Sequence, residues 1–160
     1  FPQGENREHE TKFPKKIKYY SDLKKHIKKI QETEKNLIVM GDFNVAPTPL
    51  DIGIGEANEK RWLREGKTAF LPEEIDMWNS IKDLGFTDSW RNQNPEESSI
   101  YSWFDYRSRM FDDSPKRGLR IDHIMISKNL IPAMKETGID YKARAMEKPS
   151  DHCPIWITLK

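Results

Sequence analysis

The chain has 160 residues, enough for one domain and short for two. Apolar residues make up 36% and charged residues 33%, and five Trp, five Tyr and seven Phe exclude a disordered chain, which would be poor in rings. The net charge of +1 selects no partner, a lone cysteine excludes an internal disulfide, and no run approaches the roughly 20 apolar residues of a bilayer span.

Residues 1–12 are polar, hold Pro2 and Gly4, and read as loop. Phe1-Pro2-Gln3-Gly4 lacks the charged start and apolar run of a leader, and reads as the interior of a longer protein. Pro14 suits the opening of a helix. Ile17, Tyr20, Leu23, Ile27 and Ile30 recur at spacings of three and four, which predicts a helix over about 14–33 with that stripe buried. Eight lysines and one acid, Asp22, lie between Lys12 and Lys29. They read as a solvated helix face, with a phosphate-facing surface as the alternative. Leu37–Met40 is a short apolar run that predicts a strand buried on both faces, and Gly41-Asp42-Phe43-Asn44 leaves its end. Two prolines and two glycines in 45–55 mark a structured loop.

Ala57–Arg64 reads as a short helix stopped by Gly66. Pro72–Leu84 reads as another, with Glu73 and Glu74 at its positive end and Ile75, Trp78, Ile81 and Leu84 as its buried stripe. Alternation predicts strands at Ile100–Tyr106 and Leu119–Ser127, joined through a loop at Phe111–Lys116. The second would place Leu119, Ile121, His123 and Met125 on one face and Arg120, Asp122, Ile124 and Ile126 on the other. A weaker strand falls at 134–143 and a last one at Pro154–Leu159, with Cys153 as a small buried hydrophobe. Pattern alone gives an α/β chain of mixed layers.

Titratable groups collect at the ends of these predicted strands, where a strand fixes position and a loop exposes the side chain. Asp42 and Asn44 stand two apart, so on extended backbone they point the same way. A carboxylate there can take a proton from water while the amide donates to a phosphate oxygen, and the competing reading is a turn closed by its own Asp and Asn. Asp122 lies in an apolar run and needs a partner. A histidine is one candidate, and an ion pair with Arg120 or Arg117 is the other. Asp151-His152 joins a carboxylate to an imidazole, a metal ligand and an acid–base group together, although such a tripeptide also suits a surface loop. In Tyr101-Ser102-Trp103-Phe104-Asp105-Tyr106-Arg107, rings beside an arginine suit a stacked nucleotide or a sugar-sized pocket, but equally a core strand. Trp103 and Phe104 point to opposite faces, so at most one of them serves a site.

Taken in order, these segments resemble the exonuclease III family of apurinic/apyrimidinic endonucleases, the bacterial enzymes most closely. The resemblance runs from Phe1 to the C-terminus. It includes Leu50-Asp51-Ile52-Gly53, Arg61-Trp62-Leu63, Phe70-Leu71-Pro72-Glu73-Glu74, Gly118-Leu119-Arg120-Ile121-Asp122 and Glu147-Lys148-Pro149-Ser150-Asp151-His152 beside the motifs above. It implies a four-layer αββα sandwich of which this chain forms roughly the C-terminal half, as part of a single catalytic domain. It implies hydrolysis of phosphodiester bonds 5′ to abasic sites and 3′-to-5′ exonuclease activity on double-stranded DNA, with Mg²⁺ or Mn²⁺. Asp42 would activate water, Asn44 hold the phosphate, His152 touch the scissile phosphate and Asp122 orient His152. Asp151, Asp42 and Asn44 would lie at the metal. Trp103, Phe104, Arg107 and Arg117 would contact DNA, Trp103 as the wall of the abasic-sugar pocket.

The family's catalytic tyrosine falls immediately before Phe-Pro-Gln-Gly, and its main metal-binding glutamate lies further upstream, so the resemblance implies that this chain alone is inactive, poorly stable, or both. The whole enzyme is expected to be a cytoplasmic monomer. Two other readings stand beside this one. A phosphoinositide phosphatase or sphingomyelinase would share Gly-Asp-x-Asn and Ser-Asp-His. A non-catalytic DNA-binding module would use the lysine-rich helix and Trp103 and leave Asp42 and His152 without a role.

Overall fold

A computed structural model describes residues 1–160. Helix α1 spans Lys12–Ile30, and its buried residues are Phe13, Lys16, Tyr20 and Ile27. Ile17, expected inside, is 45% exposed. From Tyr20 onward the buried stripe is the apolar one; only in the first turns does Lys16 take the inward place of Ile17, since one residue along a helix turns a side chain about 100° away. Strand β1, Ile38–Asp42, pairs antiparallel with β3, Asp122–Ser127, and β3 pairs on its other side with β2, Phe86–Asp88. Burial of β1 on both faces does not hold: Ile38 and Met40 are 42% and 57% exposed, while Val39 packs on the core. As an edge strand covered on one side, it turns alternate side chains outward.

Helices α2, Glu56–Arg64, and α3, Pro72–Lys82, follow the predicted spacing, with Trp62, Trp78 and Ile81 buried. The short elements β2 and α4, Ser89–Gln93, carry no periodicity to read. Asp88 sets α4 by accepting from the Arg91 amide.

No strand forms at Ile100–Tyr106: Trp103 meets Leu119 and His152 through isolated bridges. Alternation makes a strand only where a neighbour runs alongside, and here each neighbour touches at one residue. Gly118 permits that approach, since a Cβ there would sit 2.6 Å from the Trp103 carbonyl oxygen. Leu119–Ile121 is likewise outside β3, whose residues from His123 onward are buried on both faces. Strands β4, Met134–Ile139, and β5, Ile155–Leu159, form a second antiparallel sheet. Between them the chain makes α5, Tyr141–Arg144, rather than strand as far as 143, because Asp140 accepts from the amides of Lys142 and Ala143 and starts a helical turn.

Two apolar clusters fill the interior. One gathers Tyr20, Ile27, Phe43, Val45, Trp78, Ile81, Phe86 and Met125 between the three-stranded sheet and helices α1 and α3. The other gathers Ala46, Ile54, Trp62, Phe70, Tyr101, Phe104, Leu119, Ile121 and Cys153 among the loops. Burial pushes the Cys153 thiol up to about 12, so it packs as a hydrophobe, as expected.

Ion pairs are fully enclosed in two places. Lys16 Nζ lies 2.5 Å from Glu74 Oε1, both side chains fully enclosed. Arg120 Nε lies 2.7 Å from Asp51 Oδ1 and its Nη2 2.7 Å from Asp88 Oδ2. No helix is long and apolar enough to cross a membrane.

Candidate active site

Asp42 ends β1 and stands opposite Asp122, which begins β3. Directly opposed residues of an antiparallel ladder share a face, so the register alone brings two carboxylates together from distant parts of the chain. Past Asp42 the backbone turns sharply, with Asn44 in the left-handed region at φ 52°. The Asn44 amide donates to Asp42 Oδ1 at 2.8 Å, and its side-chain Nδ2 donates to Asp42 Oδ2 at 2.8 Å and to the Phe1 carbonyl at 3.0 Å. The turn reading and the site reading therefore describe one object: the turn clamps the carboxylate. Both side-chain N–H bonds of Asn44 go to protein, which leaves its Oδ1 to face a ligand. Lys16 Nζ braces the same turn by donating to the Asn44 carbonyl at 2.8 Å.

His152 lies on the loop before β5. Its Nδ1 is 2.8 Å from Asp122 Oδ2, which also accepts from Ser102 Oγ at 2.6 Å. Ser102 Oγ in turn accepts from the amides of Ile121 and Asp122 at 3.1 and 3.0 Å. The alternative partners of Asp122 are engaged elsewhere, Arg120 with Asp51 and Asp88 and Arg117 with Asp113. One ligand atom from each of Asp42, Asp122 and His152 lies within 4.8 Å of the others.

Burial raises the Asp42 pKa, and the Asp122 charge raises it further against the pull of the Asn44 amide. For His152 burial works the other way. The hydrogen bond and charge of Asp122, with Asp42 and Asp151 behind it, outweigh burial and leave the pKa raised. The arrangement holds a carboxylate of enhanced basicity next to an imidazole biased toward its charged form.

Asn44, Asp151 and His152 line a cleft of about 510 Å³ with Trp62, Lys67, Trp103 and Arg107. Trp103 Nε1 donates to Asp151 Oδ2 at 3.0 Å, so Asp151 stands with Trp103 rather than in the Asp42–Asp122–His152 group. Phe104 is fully buried between Phe111 and Tyr141, with no ring face for a ligand; of the expected DNA-contacting pair, only Trp103 reaches the cleft. Arg117 pairs with Asp113 at 2.6 Å and does not line the cleft.

The sequence reading missed Ser102, Lys67 and the Lys16–Glu74 pair. A lone serine or lysine carries no pattern, although Ser102 sits inside a segment singled out for its rings. The donor chemistry suits a divalent cation: hard carboxylate and amide oxygens, and like charges on Asp42 and Asp122 that a cation would relieve.

Residues 5–152 match the endonuclease/exonuclease/phosphatase family. The chain is 52% identical over 160 residues to exodeoxyribonuclease III of Haemophilus influenzae, covering all of this chain and 59% of the relative. A Neisseria 3′ phosphatase bound to a product DNA hairpin superposes with a TM-score of 0.88 at 33% identity, over 99% of this chain and 58% of that one. An AP endonuclease from Archaeoglobus fulgidus gives 0.83 at 29% identity, over 99% of this chain and 58% of that one. The chain thus spans somewhat more than half the length of these relatives, whose fold is a four-layer α/β sandwich. By this match and this identity, the chain belongs to the endonuclease/exonuclease/phosphatase family.

Proposed function

We propose that the protein bearing this chain is a divalent-metal-dependent DNA-repair phosphodiesterase that cleaves 5′ to abasic sites and removes nucleotides from 3′ ends of double-stranded DNA. The observation that carries the proposal is the Asp122–His152 hydrogen bond of 2.8 Å with Asp42 beside it. A non-catalytic module would leave that convergence without a use. The enzyme would act as a cytoplasmic monomer.

Phosphodiester hydrolysis needs a base for water and positive charge where the phosphoryl oxygens become negative. Asp42 is the base: its raised pKa strengthens its hold on the proton that water loses. Asn44 keeps both carboxylate oxygens in place through its amide and side chain. Asp122 fixes His152 through Nδ1, which leaves Nε2 to donate to a phosphate oxygen in the cleft that His152 lines. Ser102 holds Asp122 in turn and acts only through it. Trp103 offers its indole to the sugar, and Arg107 offers charge to the backbone. Mg²⁺ or Mn²⁺, held by oxygens of Asp42, Asn44 and Asp151, would neutralise charge on the phosphate.

The test is Mg²⁺-dependent incision of a duplex with one abasic site by the protein bearing this chain. Asp42→Asn and His152→Asn should each lower turnover by roughly 100-fold or more, the scale for removing one base or one charge-stabilising donor. Full activity in either variant ends the proposal.

A further inference from the structure

Buried cations in this chain have carboxylates against them, with one exception. Lys16 has Glu74, and Arg120 has Asp51 and Asp88. Arg144, at the end of α5, is 7% exposed and has neither an ion pair nor a side-chain hydrogen bond, and its Nε is shielded from solvent without an acceptor. Its surroundings are rings: the guanidinium carbon lies 4.7 Å from the centre of Phe111, 4.9 Å from Tyr106 and 6.0 Å from Phe104. Ring faces attract the charge but supply no acceptor for its N–H groups. A buried charge left in that state is unfavourable unless something else completes it.

The guanidinium lines a hollow of about 350 Å³ shared with Arg109, Tyr106 and Pro149. Asp112 also lines it, exposed, and its carboxylate pairs with neither arginine. Pro149 is three residues before His152, and Tyr106 lies between the cleft residues Asp105 and Arg107, so the hollow adjoins the catalytic cleft without being part of it.

We propose that this hollow is a second anion subsite, in which Arg144, with Arg109, takes a phosphate group. The guanidinium fork matches two phosphate oxygens, and the rings hold the fork flat and in place before the ligand arrives. The occupant is a backbone phosphate of the nucleic acid in the cleft, one removed from the bond that is cut. This choice of source rests on the reading of the protein as a DNA phosphodiesterase. The phosphate chemistry of the hollow does not.

The experiment follows the Arg144 Nε–Hε resonance by NMR, which shielding from solvent should make visible, while inorganic phosphate and then an oligonucleotide duplex are added. Phosphate should shift it saturably where chloride at equal ionic strength does not. The duplex should shift it at far lower concentration. Arg144→Met should weaken duplex binding by about tenfold and reduce the slope of affinity against salt by about one ion. It should also leave thermal stability equal or higher, since it removes an unpaired buried charge; a large loss of stability would mean that the rings alone give Arg144 its purpose, and would overturn the subsite. Arg109→Gln, at an exposed position, should weaken duplex binding in the same direction without touching the core. A response to phosphate but not to the duplex keeps the subsite and assigns it to free nucleotide. A resonance indifferent to both overturns it. Loss of DNA incision with the Arg144 response intact would defeat the phosphodiesterase reading alone.

Discussion

The site has two halves built on different principles. Asp42 and Asp122 ride on paired strands, and their meeting follows from ladder register. Ser102, Trp103, Asp151 and His152 ride on loops that touch through isolated bridges. The first half is held by repeated backbone hydrogen bonds, any one of which is replaceable. The second is tied by a few isolated backbone bonds and by single side-chain contacts: one serine hydroxyl, one indole N–H, and a buried arginine that anchors the loops to β2. Equal geometry can therefore rest on very unequal redundancy, and the loop half should be the one that single substitutions dismantle.

The sharpest way to break that comparison is Arg120→Met. It leaves Asp88 buried without its guanidinium and Asp51 with Arg91 alone, which should cost about 3–5 kcal/mol by urea unfolding, the scale for stranding one partner of a buried pair. Loops 45–55 and 99–121 should gain hydrogen exchange before the three-stranded sheet does. A uniform loss would show that the halves are not separate.

Acid should act on the same hub. Burial alone would raise the pKa of Asp51 and Asp88, but Arg120 outweighs it and holds both below the usual carboxylate value of 3.8. Groups depressed in the folded state stabilise it fully above that value and cease to do so as pH falls through the folded pKa. Unfolding free energy should therefore be flat in this contribution above about pH 5 and decline below pH 4. The decline should be shallower in Arg120→Met.

Lys16→Met should cost about 3 kcal/mol, the low end for a broken buried pair, because Glu74 keeps the Ala69 and Leu71 amides as donors. Unlike the Arg120 change, it should also disturb the Asn44 turn, read as shifted amide resonances at 42–45. Ser102→Ala should cost about 1–3 kcal/mol, as two amides lose their acceptor and Asp122 a donor. In the active protein it should lower turnover and leave substrate affinity nearly unchanged. The smallest effect belongs to Glu73→Gln. Its pair with Arg7 is exposed, so the unfolding midpoint should not move measurably.

Legibility in the sequence followed the same division. Helices α1 and α3 and strand β3 are readable from periodicity, and β1 from an apolar run bounded by turn formers. Ile17 was placed inside and Lys16 outside because a hydrophobic stripe cannot register a lysine neutralised by a glutamate from another helix. Ile100–Tyr106 alternates like a strand, but pairing is a property of neighbours, which a local pattern does not contain. Phe104 looked as available as Trp103 for the same reason. Asp42, Asn44, Asp122 and His152 stand out as polar groups at strand ends, and the family resemblance gives them roles. The Arg120 hub did not stand out, since its members are scattered and each alone reads as surface charge.

The pairing of Asp42 with Asp122 makes the site a matter of parity. A one-residue insertion within β1 that slid its partner register would keep every ladder bond available yet send one carboxylate to the reverse side. Two inserted residues would restore the side and displace the position by one pleat. Length polymorphism in this short strand should thus be tolerated by folding and refused by chemistry.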